Sequence, residues 1–128
     1  MHPFLQRGSI IDGDDVETTH RVLEDLIRRG MASRSDPERC APFLDRIQQV
    51  LPQHMSFEES QGGLFTWLEA LLPERRAEVR ALMSQHQDLR EAVAALAPDN
   101  LPDFAQLYLE HEAAEGALLE AARRVAQG

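Results

Sequence analysis

The chain has 128 residues, enough for one domain with one core that folds without covalent staples. Twenty-two acidic residues against thirteen arginines and no lysine leave a net charge of −9, which excludes the clustered cations that a phosphate-tracking nucleic-acid surface needs. One cysteine, Cys40, excludes an internal disulfide framework and a cysteine-based zinc ribbon, and it suggests a reducing compartment.

The N-terminal stretch MHPFLQRGSIIDGDD lacks the apolar run of a signal peptide, and nowhere are there eighteen consecutive apolar residues. A soluble, cytoplasmic protein is expected. Glycine and proline divide the rest into about four periodic segments without alternating, β-branched runs, so the fold class is all-α. Helix 1 is predicted to begin after Asp12 to Asp15, whose carboxylates suit an N-terminal dipole, and to stop at Gly30. Ser35-Asp36-Pro37 then opens helix 2 in cap-and-proline style. That helix is expected to run toward Gln61 and end in Gly62-Gly63, with Pro42 and Pro52 breaking or kinking its start. LFTWLEALL, ahead of Pro73, reads as a short extra helical turn or two, standing alone or continuing helix 2. Helix 3 is expected over about 74–97, Pro98-Asp99-Asn100 as a loop, and helix 4 from about Pro102 nearly to the end. Short loops between such helices imply an up-down-up-down four-helix bundle. The arginine pairs Arg28/Arg29, Arg75/Arg76 and Arg123/Arg124 fall near helix ends, where they are expected to solvate the surface.

The apolar stripes of these helices carry an anomaly. Helix 1 presents Val16, His20, Leu23, Ile27 and Gly30 on one face, and helix 2 presents Phe43, Ile47, Val50, His54, Glu58 and Gln61. Helix 3 presents Val79, Leu82, His86, Leu89, Val93 and Leu96, and helix 4 presents Phe104, Leu107, His111, Glu115, Leu118, Ala122 and Val125. Every helix thus carries one histidine on its core face, and only His2, in the N-terminal arm, escapes the pattern. A single such histidine is usually a neutral core residue. If a stripe covers two to three positions in seven, all four landing inside by chance has odds on the order of one in a hundred. Two glutamates in the same core sharpen the point, because a buried, unpartnered carboxylate costs several kcal/mol or changes its protonation. With no lysine to neutralise them, a metal ion is the economical partner. The chain also reads as two hairpins, each offering a histidine and then His-x-x-x-Glu: His20 with HMSFE at 54–58, and His86 with HEAAE at 111–115. A spacing of four stacks histidine beside glutamate so that both reach one centre, and two such hairpins would supply donors for two ions with the carboxylates bridging.

This order of motifs resembles the hemerythrin-like HHE cation-binding family from about Asp12 to Val125. The resemblance implies a single domain over 1–128 with an N-terminal arm over 1–11, holding two non-heme iron ions joined by an oxo or hydroxo bridge and by carboxylates. Carried over, the ligands are His20, His54, Glu58, His86, His111 and Glu115, with Glu58 and Glu115 bridging. Oxygen-carrying members have a further histidine where this chain has Arg90, and a bridging aspartate where it has Gly116. The expected function is therefore to sense or react with oxygen, nitric oxide or peroxide, or to handle iron, rather than to carry oxygen reversibly or act as an enzyme of the usual kind. Arg90 is expected near the open side of the site.

Neighbouring residues carry further expectations. Tyr108, one turn before His111, is a candidate hydrogen-bond donor to a bound species. Arg90 and Glu24, each four residues after a histidine, are candidates to pair across the pseudo-twofold axis. Glu59 and Glu112 are rotated toward the surface, unless they orient a ligand imidazole. Met83 and Phe57 are expected to fill core, and Cys40 to be a small buried hydrophobe. Among rival readings, a ferritin-like centre fails because Glu-x-x-His occurs only at Glu17 to His20, and HEAAE departs from the zinc-protease pattern at position 115. Zinc or manganese in place of iron, and a metal-free adaptor bundle binding a protein partner, stay open.

Overall fold

The computed structural model describes residues 14–128, with side chains from Val16 onward. The arm expected over 1–11, with His2, and the side chains of Asp12 to Asp15 lie outside the described residues. Five α-helices and two single 3-10 turns make up the fold, with no strand among the described residues. They are α1 (Asp14–Ala32), α2 (Pro37–Glu59), α3 (Leu64–Leu71), α4 (Arg76–Ala94) and α5 (Leu101–Gln127), with the 3-10 turns at Pro73–Arg75 and Pro98–Asn100. The four long helices form the up-down-up-down bundle, α1 against α2, α2 against α4, α4 against α5, and α5 back against α1.

Helix α1 runs two residues beyond Gly30, where it was expected to stop. Gly30 is instead a close crossing, since a Cβ there would sit 3.1 Å from the Leu101 side chain. Asp36 caps α2 by accepting from the Arg39 amide, and Pro37 takes the first helical position. The expected break at Pro42 and Pro52 does not occur; α2 is continuous from Pro37 to Glu59. An interior proline costs about 3 kcal/mol. Both rings lie off the core face, however, and the buried stripe of Cys40, Leu44, Ile47, Leu51 and Met55 offsets that loss at roughly 1.5–3 kcal/mol per large apolar side chain. This stripe is rotated from the expected one: Phe43 and Val50 only flank it, and Gln61 lies beyond the helix and is exposed.

Helix α3 is a separate element rather than an extension of α2. Gly62 adopts φ 78°, the left-handed conformation that glycine tolerates, and reverses the chain. At Gly63 the backbone passes so close to the end of α2 that a Cβ would lie 2.6 Å from the Phe57 carbonyl oxygen and 2.9 Å from those of Glu58 and Ser60. This turn lays the apolar face of α3, Leu64, Phe65 and Leu68, against α2, α4 and α5. The consequence is a core in two parts. One cluster, including Leu23, Ile47, Leu51, Leu89, Phe104 and Tyr108, fills one end of the bundle; the other, around Leu64, Leu68, Val79, Leu82 and Leu118, is closed by α3. A polar layer lies between them.

Candidate metal centre

The six residues expected to gather do so in that layer. Glu58, His86 and Glu115 are fully buried, His54 and His111 nearly so, and His20 is largely covered. Each glutamate stands between two imidazoles from different hairpins. Glu58 Oε2 lies 3.2 Å from His54 Nε2, and its Oε1 lies 3.2 Å from His86 Nε2. Glu115 Oε1 lies 3.1 Å from His20 Nε2, and its Oε2 lies 3.1 Å from His111 Nε2. The donors fall into two sets whose atoms lie within 4.8 Å of one another: His20 and His54 with both glutamates, and His86 and His111 with both glutamates. Helix spacing explains the stacking, because residues four apart share a face. His54 therefore lies over Glu58 on α2, and His111 over Glu115 on α5.

These contacts leave the centre short of partners. His54 Nε2, both oxygens of Glu58, His86 Nε2 and Glu115 Oε1 are buried without a hydrogen bond of good geometry. Native interiors satisfy nearly all such groups, and five orphans converging on one spot have the donor chemistry of a divalent cation site. Electrostatics agrees. Burial and the neighbouring imidazolium charge that would arise on His20 push the His54 pKa down to about 4, so its lone pair is free at neutral pH. Burial and the facing Glu115 hold the Glu58 carboxyl well above the usual carboxylate range. Burial acts on Glu115 in the same sense, but bonds from His111, His20 and Glu58 prevail and hold it well below that range. At His20, burial opposes protonation, yet Glu115 outweighs it and raises the pKa.

Glu59, for which the sequence left this role open, and Gln85, which it did not single out, orient the imidazoles of the second set. Glu59 Oε2 accepts from His86 Nδ1 at 2.7 Å, and Gln85 Oε1 accepts from His111 Nδ1 at 2.7 Å. An acceptor on Nδ1 fixes the proton there and turns Nε2 toward the centre. Glu59, half-buried rather than on the surface, follows directly after Glu58, and Gln85 directly precedes His86. Adjacency was the available signal, but it does not reveal which way a side chain turns.

Other expectations change. Arg90 and Glu24 do not pair with each other: Arg90 donates to Glu59 Oε1 at 2.6 Å, because α4 packs its outer edge against α2, whereas Glu24 faces Glu112 across α1 and α5. Arg90 thus braces Glu59 behind His86. Burial would raise the Glu59 pKa, but Arg90 and His86 together lower it, keeping it an acceptor. Tyr108 is buried, with its ring edge-on to His20 at 6.5 Å; its hydroxyl lies by Glu112 without completing a good hydrogen bond. Glu112 turns inward far enough to bury one oxygen. Phe57 and Met83, expected in the core, are 37% and 43% exposed, each one position off its helix's buried stripe. Cys40 is buried as expected, with Sγ 3.4 Å from the Gly30 carbonyl. Arg123, read as a surface cation, also reaches Glu17 on α1 at 2.8 Å.

Compared with known proteins, the family model of the hemerythrin HHE cation-binding domain matches residues 13–127. No curated protein and no solved structure matches the chain.

Proposed function

The chain belongs to the hemerythrin HHE cation-binding domain family, and on that premise we propose that it is a non-heme di-iron protein that senses or reacts with oxygen, nitric oxide or peroxide, or handles iron. The observation that carries this reading is the buried cluster of four imidazoles alternating with two carboxylates at the bundle centre, in which His54, Glu58, His86 and Glu115 present atoms without a hydrogen bond. His20 and His54 would hold one ion, His86 and His111 the other, with Glu58 and Glu115 shared between them and an oxo or hydroxo group completing the bridge. Zinc and manganese accept the same donor types, but a pair of imidazole-and-carboxylate positions inside an HHE domain favours iron. We read the whole chain, 1–128, as one such domain.

Bound iron would supply open coordination positions and electrons to a small oxidant or diatomic ligand. The chain's own residues do the rest. The two apolar clusters exclude bulk water above and below the layer. Glu59 and Gln85 hold protons on the Nδ1 atoms of His86 and His111, leaving the Nε2 lone pairs inward. Tyr108, whose pKa burial and Glu112 push up, keeps its proton and is a hydrogen-bond donor beside His20. No helix among the described residues is long and apolar enough to cross a membrane.

Metal analysis after anaerobic iron reconstitution tests the reading. About two iron ions per chain are expected, with near-ultraviolet absorption after oxidation, and His111→Ala should sharply reduce uptake. Zinc alone would give no such band. A protein that takes up no stoichiometric metal, and whose melting curve ignores both iron and chelator, would be an adaptor bundle instead.

A further inference from the structure

The two metal positions have equal ligand counts but unequal surroundings. The chain's pseudo-twofold symmetry makes the comparison residue by residue. Glu59, which follows the shared carboxylate Glu58 on α2, accepts from His86. The residue that follows the other shared carboxylate, Glu115, on α5 is Gly116, so His20 lacks the matching acceptor. Gln85, which precedes His86 on α4, accepts from His111. The residue that precedes His20 on α1 is Thr19, whose side chain is two atoms shorter, beside His54.

Openings lie at both places where the anchors are missing. Thr19 and His54 line a groove of about 290 Å³ with Val16, Val50, Gln53 and Phe57. Gly116 and His20 line a cleft of about 320 Å³ with Glu17, Glu24 and Glu112 among its walls. On the other side, His86 is fully buried under the Phe65 ring, 4.9 Å away, and Glu59 is itself held by Arg90. Outer hydrogen bonds of this kind typically contribute 10–100-fold to metal affinity. We propose that the centre holds its two ions unequally: the His86/His111 position retains its divalent cation, while the His20/His54 position, without acceptors like Glu59 and Gln85 behind its imidazoles and bordering two grooves, exchanges its ion. This inference rests on the metal-centre reading above.

Gly116 permits a gain-of-function test, because a Cβ there would meet nothing within 4 Å and the site is exposed. The full chain, stripped of metal, is titrated with cobalt(II), followed optically and by calorimetry, then challenged with EDTA. The unmodified protein should bind two ions in steps that differ at least tenfold in affinity, and it should release one ion much faster than the other. Glu59→Ala should weaken the tight step 10–100-fold with little effect on the weak one, and Glu59→Gln, which keeps an acceptor, should restore part of the loss. Gly116→Glu should do the reverse, tightening the weak step and slowing the fast release. Two ions of equal affinity leaving together would overturn the asymmetry while preserving the metal centre. So would a Glu59→Ala variant that weakens both steps equally alongside a Gly116→Glu variant that moves neither. Absence of any stoichiometric cobalt in the unmodified chain would instead overturn the metal centre, and the asymmetry with it.

Discussion

Glu58→Gln should stabilise the protein without metal and destabilise it with metal. In the metal-free fold, burial and the facing Glu115 raise the Glu58 pKa, so folding makes this carboxyl bind a proton that the unfolded chain, at its ordinary 4.5, has released. A raised carboxyl pKa leaves stability intact below 4.5 and erodes it as pH climbs toward the folded-state value, at about 1.4 kcal/mol per unit. At pH 7 the penalty therefore reaches at most about 3 kcal/mol. Glutamine has nearly the shape of the protonated acid and no proton to gain. With an unfolding entropy of roughly 2 cal/mol/K per residue over 128 residues, a gain of that size raises the melting temperature by up to roughly 10 °C. The gain should vanish near pH 4. Adding metal reverses the order, since the amide cannot bridge two ions: the unmodified protein gains about 2.7 kcal/mol at a metal concentration one hundred times Kd, and the variant loses most of that. Thermal melts at pH 4 and 7, each with EDTA and with iron(II) under argon, read all four cases. A variant less stable than the parent at pH 7 in EDTA, or one that still binds two ions, would refute the argument.

Further outcomes follow from other residues. His54 is depressed from 6.5 to about 4, so the metal-free protein should lose the stability linked to it as pH falls through that window, on the order of 3 kcal/mol. His54→Leu lacks this titration and should gain on the parent between pH 7 and 4 in chemical denaturation. Gly63→Ala forces a Cβ against three carbonyl oxygens and should cost on the order of 1–3 kcal/mol in a thermal melt, unlike Gly116→Ala, which meets nothing. The reduced, iron-loaded protein should respond optically to nitric oxide and be oxidised by oxygen; a spectrum fully restored by lowering oxygen pressure would restore the carrier reading.

The sequence by itself carried the helices and the gathering of the candidate donors. Periodicity of 3.6 placed His20, His54, His86 and His111 on buried faces, and a spacing of four put Glu58 and Glu115 beside two of them, because both relations are local to one helix. Long-range packing decided what lies one layer out. Whether Pro42 and Pro52 break α2 depends on how well its inner face packs, which a proline count does not contain. Whether Glu59 turns to solvent or to His86 depends on α4 lying across α2, and the same crossing gives Arg90 to Glu59 rather than to Glu24. Phe57, apolar and one residue before Glu58, read as core; yet helix rotation leaves it at the rim of the groove beside His54, because one residue turns a helix by about 100° and only the neighbouring helices determine which side of that turn is covered.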